Sequence, residues 1–297
     1  MKKIYIVVSI VVFLAVVGIA LATSAPRTMA LPYNPALTDN LVSYWKLDEH
    51  SGTRYDSHGS YDLTAFGVGW DAGKLGDSAV LTGTSYLSAG DQADFRRGAG
   101  VTLTIAGWVY ITDTLYVLPV AVKGYLEVSP EYALFYDAGI MGSGFTAIGC
   151  AEGGICNVAN VPDSIFTNTW YYVVGTFSQS SVCISINAGD FLCNSNRDIS
   201  RLSYASELYL GGDGSTNARG REDSVGFWRA GLTDSDVDDL YNGGAGKEYP
   251  FRRVNTNPNI HVNCHLNFYP NSVSFTDVDA TCDLNINPGA WGGQYLP

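Results

Sequence analysis

The chain has few of the groups that most enzymes and nucleic-acid binders need. Its 297 residues include 4 histidines and 17 lysines and arginines, against 29 aspartates and glutamates. With a formal net charge of −12 and no basic cluster, it is a poor partner for phosphate backbones, so no nucleic acid is expected. The same balance disfavours electrostatic docking on anionic lipid. No Cys-x-x-Cys spacing occurs, which argues against a structural zinc site. His261 and His265 lie in an alternating, strand-like stretch, which separates them by ~13 Å, too far to share one ion. The acidic run Asp234–Asp239 looks superficially like a calcium loop, but that loop needs glycine at its sixth position and glutamate at its twelfth. Asp239 and Ala245 stand there.

Catalytic constellations are also missing. Glycoside hydrolysis needs two carboxylates ~5–10 Å apart on either side of one sugar bond. No E-x-D-x-x-E run supplies them. Glu127 and Glu131 would stand ~13 Å apart on an extended strand, and Asp277 and Asp279 alternate only in the C-terminal tail. Gly76-Asp77-Ser78-Ala79 looks like the start of some serine esterases, yet neither His50, His58, His261 nor His265 sits in an acid–histidine motif. The expectation is a protein that is not an enzyme.

One long hydrophobic run is present. Lys2 and Lys3 precede an uncharged apolar stretch from Ile4 to Ala22, the arrangement of an export signal. Ala20-Leu21-Ala22 or Thr23-Ser24-Ala25 is a candidate cleavage site, and the run is also just long enough to serve as a retained anchor. Either way the rest is expected outside the cytoplasm, secreted or at the cell surface. Pro26, Pro32 and Pro35 mark an extended linker. Six cysteines in an exported chain point to disulfides. They fall in near pairs, Cys150 with Cys156, Cys183 with Cys193 and Cys264 with Cys282. Nearest-pair connectivity is one of about fifteen possibilities.

The 33 glycines and 19 tyrosines favour strands and turns. Leu41–Glu49 alternates as a first strand, and Val101–Val109 (VTLTIAGWV) and Trp170–Phe177 read as strong core strands. Trp108 is expected to be a packing residue. In Gly220–Trp228, strict alternation places Asp223, Val225 and Phe227 on one face, with Glu222, Ser224, Gly226 and Trp228 on the other. Thr233 is a natural N-cap with Asp236 completing a capping box. Val237, Leu240 and Tyr241 follow at helical spacing, and Asn242-Gly243-Gly244 stops the helix.

Several of these pieces, in this order, resemble the laminin-G-like, concanavalin A-like jelly-roll domains. LVSYWKLDEHSG resembles the family's L-V-x-Y-W-x-L-D-E-x-S-G, and Gly73–Leu81 resembles G-K-x-G-x-A-L-x-F. Trp170–Phe177 is similar to W-H-H-V-A-x-T-Y, Leu208–Gly212 to L-x-I-G-G, and AGLTDSDVDDLYNGG to A-L-[ST]-x-x-E-I-x-x-L-Y-N-G. The resemblance covers roughly residues 38–250. It implies an all-β fold: a two-layer antiparallel β-sandwich (concanavalin A-like jelly roll) with a short C-terminal helix, in which Trp45 and Phe227 share one core. The chain then divides into 1–25 (signal or anchor), 26–40 (linker), 41–250 (jelly roll) and 251–297, an appended β-rich tail.

The resemblance also implies a calcium ion held by Asp223 of the last strand, with Asp48 and Asp56 approaching it. The alternative for Asp223 is a turn cap accepting backbone hydrogen bonds. Jelly-roll lectins hold sugars on stacked aromatics with polar groups around a shallow cleft. Tyr116, Tyr132, Tyr136 and Trp228 are the candidate aromatics, and Asp213 and Asn217 belong to a polar loop that would rim the site. The expected function is non-catalytic recognition of a glycan or cell-surface polymer, with calcium as candidate cofactor. The alternative is a structural assembly protein that self-associates through its tail.

Overall fold

The computed structural model describes residues 30–31, 37–98, 100–126, 130–139, 142–151, 153–162, 165–199, 205–251, 253–254, 260–268 and 278–286; in 30–31 and beyond 252 only backbone pairing is described. In chain order the strands are β1 (Ala30–Leu31), β2 (Leu41–Trp45), β3 (Thr64–Phe66), β4 (Gly69–Ala72), β5 (Asp77–Gly83), β6 (Tyr86–Ser88), β7 (Leu103–Ile111), β8 (Leu118–Lys123), β9 (Tyr132–Asp137) and β10 (Gly144–Cys150). They continue with β11 (Cys156–Val161), β12 (Thr169–Phe177), β13 (Val182–Ile186), β14 (Leu192–Asn194), β15 (Leu208–Leu210), β16 (Ala218–Trp228), β17 (Arg253–Val254), β18 (Ile260–Phe268) and β19 (Val278–Ile286). Helix α1 spans Asp234–Tyr241.

The chain forms two compact units, Tyr33–Arg252 and one made of its two ends. In the end unit β1 pairs with β17 and β18 pairs with β19, both antiparallel. That register sets Cys264 opposite Cys282. The apolar run Ile4–Ala22, Glu127 and Asp277 lie outside the described residues, as do the side chains of His261, His265 and Asp279. Among the described residues no helix is long and apolar enough to cross a membrane.

The larger unit is the expected β-sandwich. One sheet runs β11-β10-β9-β8-β15-β6-β3; the other runs β14-β13-β12-β7-β16-β5-β4, with β2 also paired to β16. β7 and β12 show why the sequence folds this way. They pair over their full length, from Leu103↔Phe177 to Thr169↔Ile111. Leu103, Ile105, Val109 and Ile111 enter the core between the sheets, with Tyr171, Val173 and Phe177 of β12. The alternate residues Ala106 and Trp108 join Tyr172 and Val174 on the outer face, under α1. Each strand is therefore apolar on both faces, as a strand covered on both sides must be. Trp45 and Phe227 share the main core, and Trp108 is a packing residue, 2% exposed.

The expected stop and start signals are real. Thr233 Oγ1 accepts from the Asp236 amide at 3.2 Å, and Asp236 Oδ2 accepts from the Thr233 amide at 3.1 Å. Asn242 ends the helix in the left-handed conformation, φ 50°. Two disulfides join cross-strand partners, Cys150–Cys156 between β10 and β11 and Cys183–Cys193 between β13 and β14.

One expectation is overturned, in β16. The pairing of β16 with β7 shifts register between Asp223 and Gly226, and Ser224 adopts φ 53°. This β-bulge inserts one residue and reverses the alternation. Glu222, opposite Val109 and Ala79, now shares the inter-sheet side with Val225 and Phe227. Asp223, opposite Trp108, faces out. β16 also changes neighbours at the bulge, pairing with β5 up to Glu222 and with β2 from Val225 onwards.

Candidate functional site

Three of the aromatics expected to hold a ligand are core residues instead. Tyr132, Tyr136 and Trp228 are at most 2% exposed. Tyr132 and Tyr136 occupy the inward positions of β9, alternating with Ala133 and Phe135, and belong to the main core. Their hydroxyls donate inward, Tyr136 to Thr114 O at 3.3 Å and Tyr132 to Phe95 O at 2.5 Å. The Trp228 indole donates to Leu37 O at 2.8 Å under the helix side of the sheet. A side chain enclosed by the protein offers no face to a ligand, so these three are corrected to packing roles. Tyr116 is half-buried, with the Arg219 guanidinium 4.2 Å above its ring.

The surface cleft lies on the outer face of the seven-stranded sheet. Cross-strand partners carry one row of side chains over that face: Thr64, Ser88, Tyr209, Val122, Ala133 and Ile148. The row is apolar towards β10, where Val122, Ala133 and Ile148 pack with Phe135 and Cys150. It is polar and aromatic towards β3. There Phe66 and Tyr86 stack at 4.5 Å with 18° between their planes. Tyr86 meets Tyr209 edge-on at 5.7 Å, and Tyr125 lies 6.2 Å from Tyr209. Two adjoining hollows of about 350 and 430 Å³ open over these rings and share Glu207 and Tyr209. Asp62 and Thr64 line one, Asp91 and Ser206 the other.

Short strands place these groups. Leu208 and Leu210 of β15 enter the main core, so Tyr209 between them must face out. In β6, Leu87 enters the core and leaves Tyr86 and Ser88 outside in the same way. Ser88 Oγ donates to Glu207 Oε2 at 2.6 Å, fixing the carboxylate over the cleft. Burial raises the Tyr209 phenol above its ordinary pKa, reinforced by Tyr125 and Glu207. Asp91 accepts from both Arg96 (2.6 Å) and Lys123 (3.1 Å). The Lys123 side chain is fully enclosed, and burial lowers its pKa.

Asp213 and Asn217 belong to a loop beside this cleft. Asn217 is exposed. Asp213 is buried, and its carboxylate accepts from the amides of Ser215 and Thr216, both their hydroxyls, and the amide of Leu126 at 3.1 Å. Burial works against its charge, but hydrogen bonds from Ser215, Leu126 and Thr216 outweigh that and keep its pKa low. It therefore ties the 213–217 loop to the segment carrying Tyr125. A Cβ on Gly214 would stand 3.1 Å from the Tyr86 ring, so the loop also walls the cleft. Asp213 therefore builds the rim, with both carboxylate oxygens engaged by the loop and by Leu126.

The three aspartates expected to share a calcium ion do not gather into one set; among the described residues no cluster of three or more histidine, cysteine, aspartate or glutamate side chains could hold a metal. Asp56 is corrected to a loop clamp. Its Oδ1 accepts from the amides of Tyr44 (3.0 Å), His58 (3.0 Å) and Gly59 (2.8 Å), and its Oδ2 from Tyr61 (3.1 Å). Asp48 and Asp223 do approach each other around the Gly73–Asp77 turn. Asp223 Oδ2 accepts from the Lys74 (2.6 Å) and Leu75 (2.8 Å) amides, and Asp48 Oδ1 from the Asp77 amide (2.8 Å). Both glycines of this turn leave no room for a side chain, Gly73 also because a Cβ would lie 2.3 Å from Asp77 O. A Cβ on Gly73 would lie 2.5 Å from Asp223 Oδ2, and one on Gly76, at φ +73°, would lie 2.4 Å from Asp48 Oδ1. Asp223 Oδ1 is buried with no hydrogen-bond partner. Burial, with a smaller push from Asp48, raises the Asp223 pKa to about 7. Asp223 thus presents an orphaned carboxylate oxygen near a second carboxylate, Asp48, and oxygen donors of this kind are those that hard cations take.

No protein-family model and no curated protein matches the sequence. Solved structures do match the fold. The binding domain of Paraclostridial Mosquitocidal Protein 1 aligns with a TM-score of 0.54 at 17% identity, over 70% of this chain and 53% of its own. Domain 4 of AbnA, a GH43 extracellular arabinanase from Geobacillus stearothermophilus solved with arabinotriose, aligns with a TM-score of 0.54 at 16% identity, over 70% of this chain and 98% of its own. Trypanosoma rangeli sialidase aligns with a TM-score of 0.54 at 16% identity, over 74% of this chain but 37% of its own. The chain thus spans about half of the first, nearly all of the second and about a third of the third. At these identities the likeness concerns the β-sandwich alone.

Sequence reasoning missed Phe66, Tyr86, Tyr125, Tyr209 and Glu207. A signal for two of them was present: in Tyr86-Leu87-Ser88 and Leu208-Tyr209-Leu210 the leucines claim the core, which turns the tyrosines outward.

Proposed function

We propose that this is a non-catalytic extracellular recognition module of laminin-G-like type that binds a glycan in the cleft over Phe66, Tyr86, Tyr209 and Tyr125. The observation that carries the reading is that four-ring strip with acceptor carboxylates beside it. Aromatic faces pack against the C–H faces of sugars, and a few placed polar groups orient the hydroxyls. The fold is shared with domain 4 of AbnA, which was solved with arabinotriose, and with a toxin binding domain. Two disulfides suit an oxidising compartment.

The placement of the acids favours binding over hydrolysis. A glycosidase needs a carboxyl held protonated beside a second carboxylate. Among the described residues, the carboxyls with raised pKa, Glu222 and Asp223, belong to the eight-stranded sheet and line neither hollow of the cleft. Asp91, in the cleft, is instead lowered by its hydrogen bonds to Arg96 and Lys123.

A glycan array with the secreted domain tests the reading. Binding is expected, and Tyr86→Ala should weaken it by about tenfold, the loss of roughly 1.4 kcal/mol of stacking, with an unchanged circular-dichroism spectrum. An array on which no glycan is retained sinks the proposal.

Calcium support belongs to the same proposal, with Asp48 and Asp223 as its carboxylate ligands. Saturating calcium should then raise the melting temperature relative to chelator, because an ion bound only by the folded state stabilises it. Coincident melts in calcium and chelator would remove calcium from the proposal and leave the cleft untouched.

A further inference from the structure

We infer that the cleft takes an internal stretch of an uncharged glycan chain, laid across the strands, and turns away anionic sugars; this rests on the glycan reading above. The strip of rings crosses the sheet rather than following a strand. Phe66 is on β3, Tyr86 on β6, Tyr209 on β15 and Tyr125 just beyond β8, four neighbours in the sheet. Three inter-strand steps make a track of about 14 Å, with successive rings 4.5, 5.7 and 6.2 Å apart. That is a footing for several sugars in a row.

Among the described residues, the ends of the track are open. Phe66, at the edge strand, is 44% exposed, and Tyr125, at the other end, is 53% exposed. Tyr209, in the middle, is 7% exposed and forms the floor. A site for a chain terminus would be closed at one end. This one lets the chain continue in both directions.

The charge of the lining selects the sugar. Among the described residues, Asp62, Asp91 and Glu207 line the two hollows, and neither Lys nor Arg does. The nearest ammonium, on Lys123, is wholly enclosed and committed to Asp91 and to Ser206 O. Arg96 is likewise engaged by Asp91, so a uronate or sialate carboxylate would meet Glu207, which has no ion-pair partner among the described residues, inside a chain of net charge −12. Ionised carboxylates only accept hydrogen bonds, so their natural partners are neutral sugar hydroxyls.

The test is calorimetry on the full chain with neutral arabinan and glucan oligosaccharides of one to four residues, oligogalacturonates of matched length, sialyllactose and glucosamine oligomers. Affinity for a neutral series should rise at least tenfold from monomer to trimer and stay constant from low to physiological salt. Oligogalacturonate and sialyllactose should bind at least tenfold more weakly, and Glu207→Gln should narrow that gap. A monomer that binds as well as its trimer, or a charged sugar that binds as well as or better than the neutral ones, overturns the inference while the glycan reading stands. Failure of every oligosaccharide, together with an empty array, overturns both.

Discussion

Replacing Glu222 with glutamine should raise the thermal stability of the domain, and raise it more at pH 8 than at pH 5. Glu222 lies in the core between the sheets, opposite Val109 and Ala79, with neither carboxyl oxygen hydrogen-bonded. The nearby Gly211 amide is spent on Pro119 O at 3.0 Å. Burial therefore holds the pKa well above that of an ordinary glutamate. The folded state keeps a proton that the unfolded chain releases above about pH 4.3. From there upward the unfolded state binds fewer protons, so stability falls by up to about 1.4 kcal/mol per pH unit until the folded group also ionises. Glutamine resembles the neutral acid in shape and cannot ionise. At pH 5 the two proteins should melt close together. With each further pH unit the variant should gain about 3–5 °C on the parent, given a few degrees per kcal/mol in a domain of this size. Scanning calorimetry at pH 5, 6, 7 and 8 measures this, and two parallel pH curves would refute it.

Asp56→Ala should be among the most damaging single changes outside the core. One carboxylate there receives four backbone amides, from Tyr44, His58, Gly59 and Tyr61. The Tyr44 amide belongs to β2 and the others to the following loop, so the side chain holds that loop against the first strand. Tyr61 O in turn accepts the Trp45 indole N–H at 2.8 Å, which couples the loop to the main core. Hydrogen bonds to a charged acceptor contribute about 1.5–3 kcal/mol each. Water can replace part of that set, so a net loss of about 3–5 kcal/mol is expected, lowering the melting temperature by roughly 10 °C. Asp56→Asn should lose less, since one oxygen still accepts while its NH2 group opposes the Tyr61 amide. Denaturant titration of the three proteins settles the order. Equal losses in calcium and in chelator are expected, because Asp56 serves amides and not a cation. A variant that melts with the parent would mean that the loop is held by packing alone.

These two acids also show where reading the sequence succeeds and where it stops. The clamp at Asp56 sits in a glycine- and serine-rich turn, where an aspartate accepting local amides is an ordinary outcome; only the likeness to calcium-binding jelly rolls implied a metal there. Glu222 is different. Period-two alternation in β16 assigned Asp223 to the side of Val225 and Phe227, and one residue at φ 53°, Ser224, hands that place to Glu222. Nothing in GREDSVGFW announces the bulge. It arises where β16 leaves β5 and takes up β2, a change of partner set by strands more than a hundred residues away.

The aromatics follow the same division. The Tyr132, Leu134, Tyr136 face was visible as one side of a strand, but not as the inner side, because β9 is buried on both faces. Trp228 was recognisable as an aromatic at a strand end, and only the helix side of the sheet made it core. The cleft joins side chains of β3, β6 and β15 with a segment beyond β8, and no local pattern brings positions 66, 86, 125 and 209 together.

What the chain's own residues determined is therefore local and periodic. Alternation made the strands, leucine and valine pairs chose their inner faces, Thr233 and Asp236 started the helix, and cysteines at hairpin spacing met across β10–β11 and β13–β14. What the tertiary structure decided is which face each equal-looking candidate takes and which of them is open: Glu222 between the sheets and Asp223 on the other side, both buried, and Tyr132 enclosed while Tyr125 is exposed. The reason is physical. Secondary structure depends on neighbours a few residues away, whereas burial and the pKa changes it brings depend on what the opposite strand, sheet or loop places within a few ångströms, and that is known only once the chain has closed on itself.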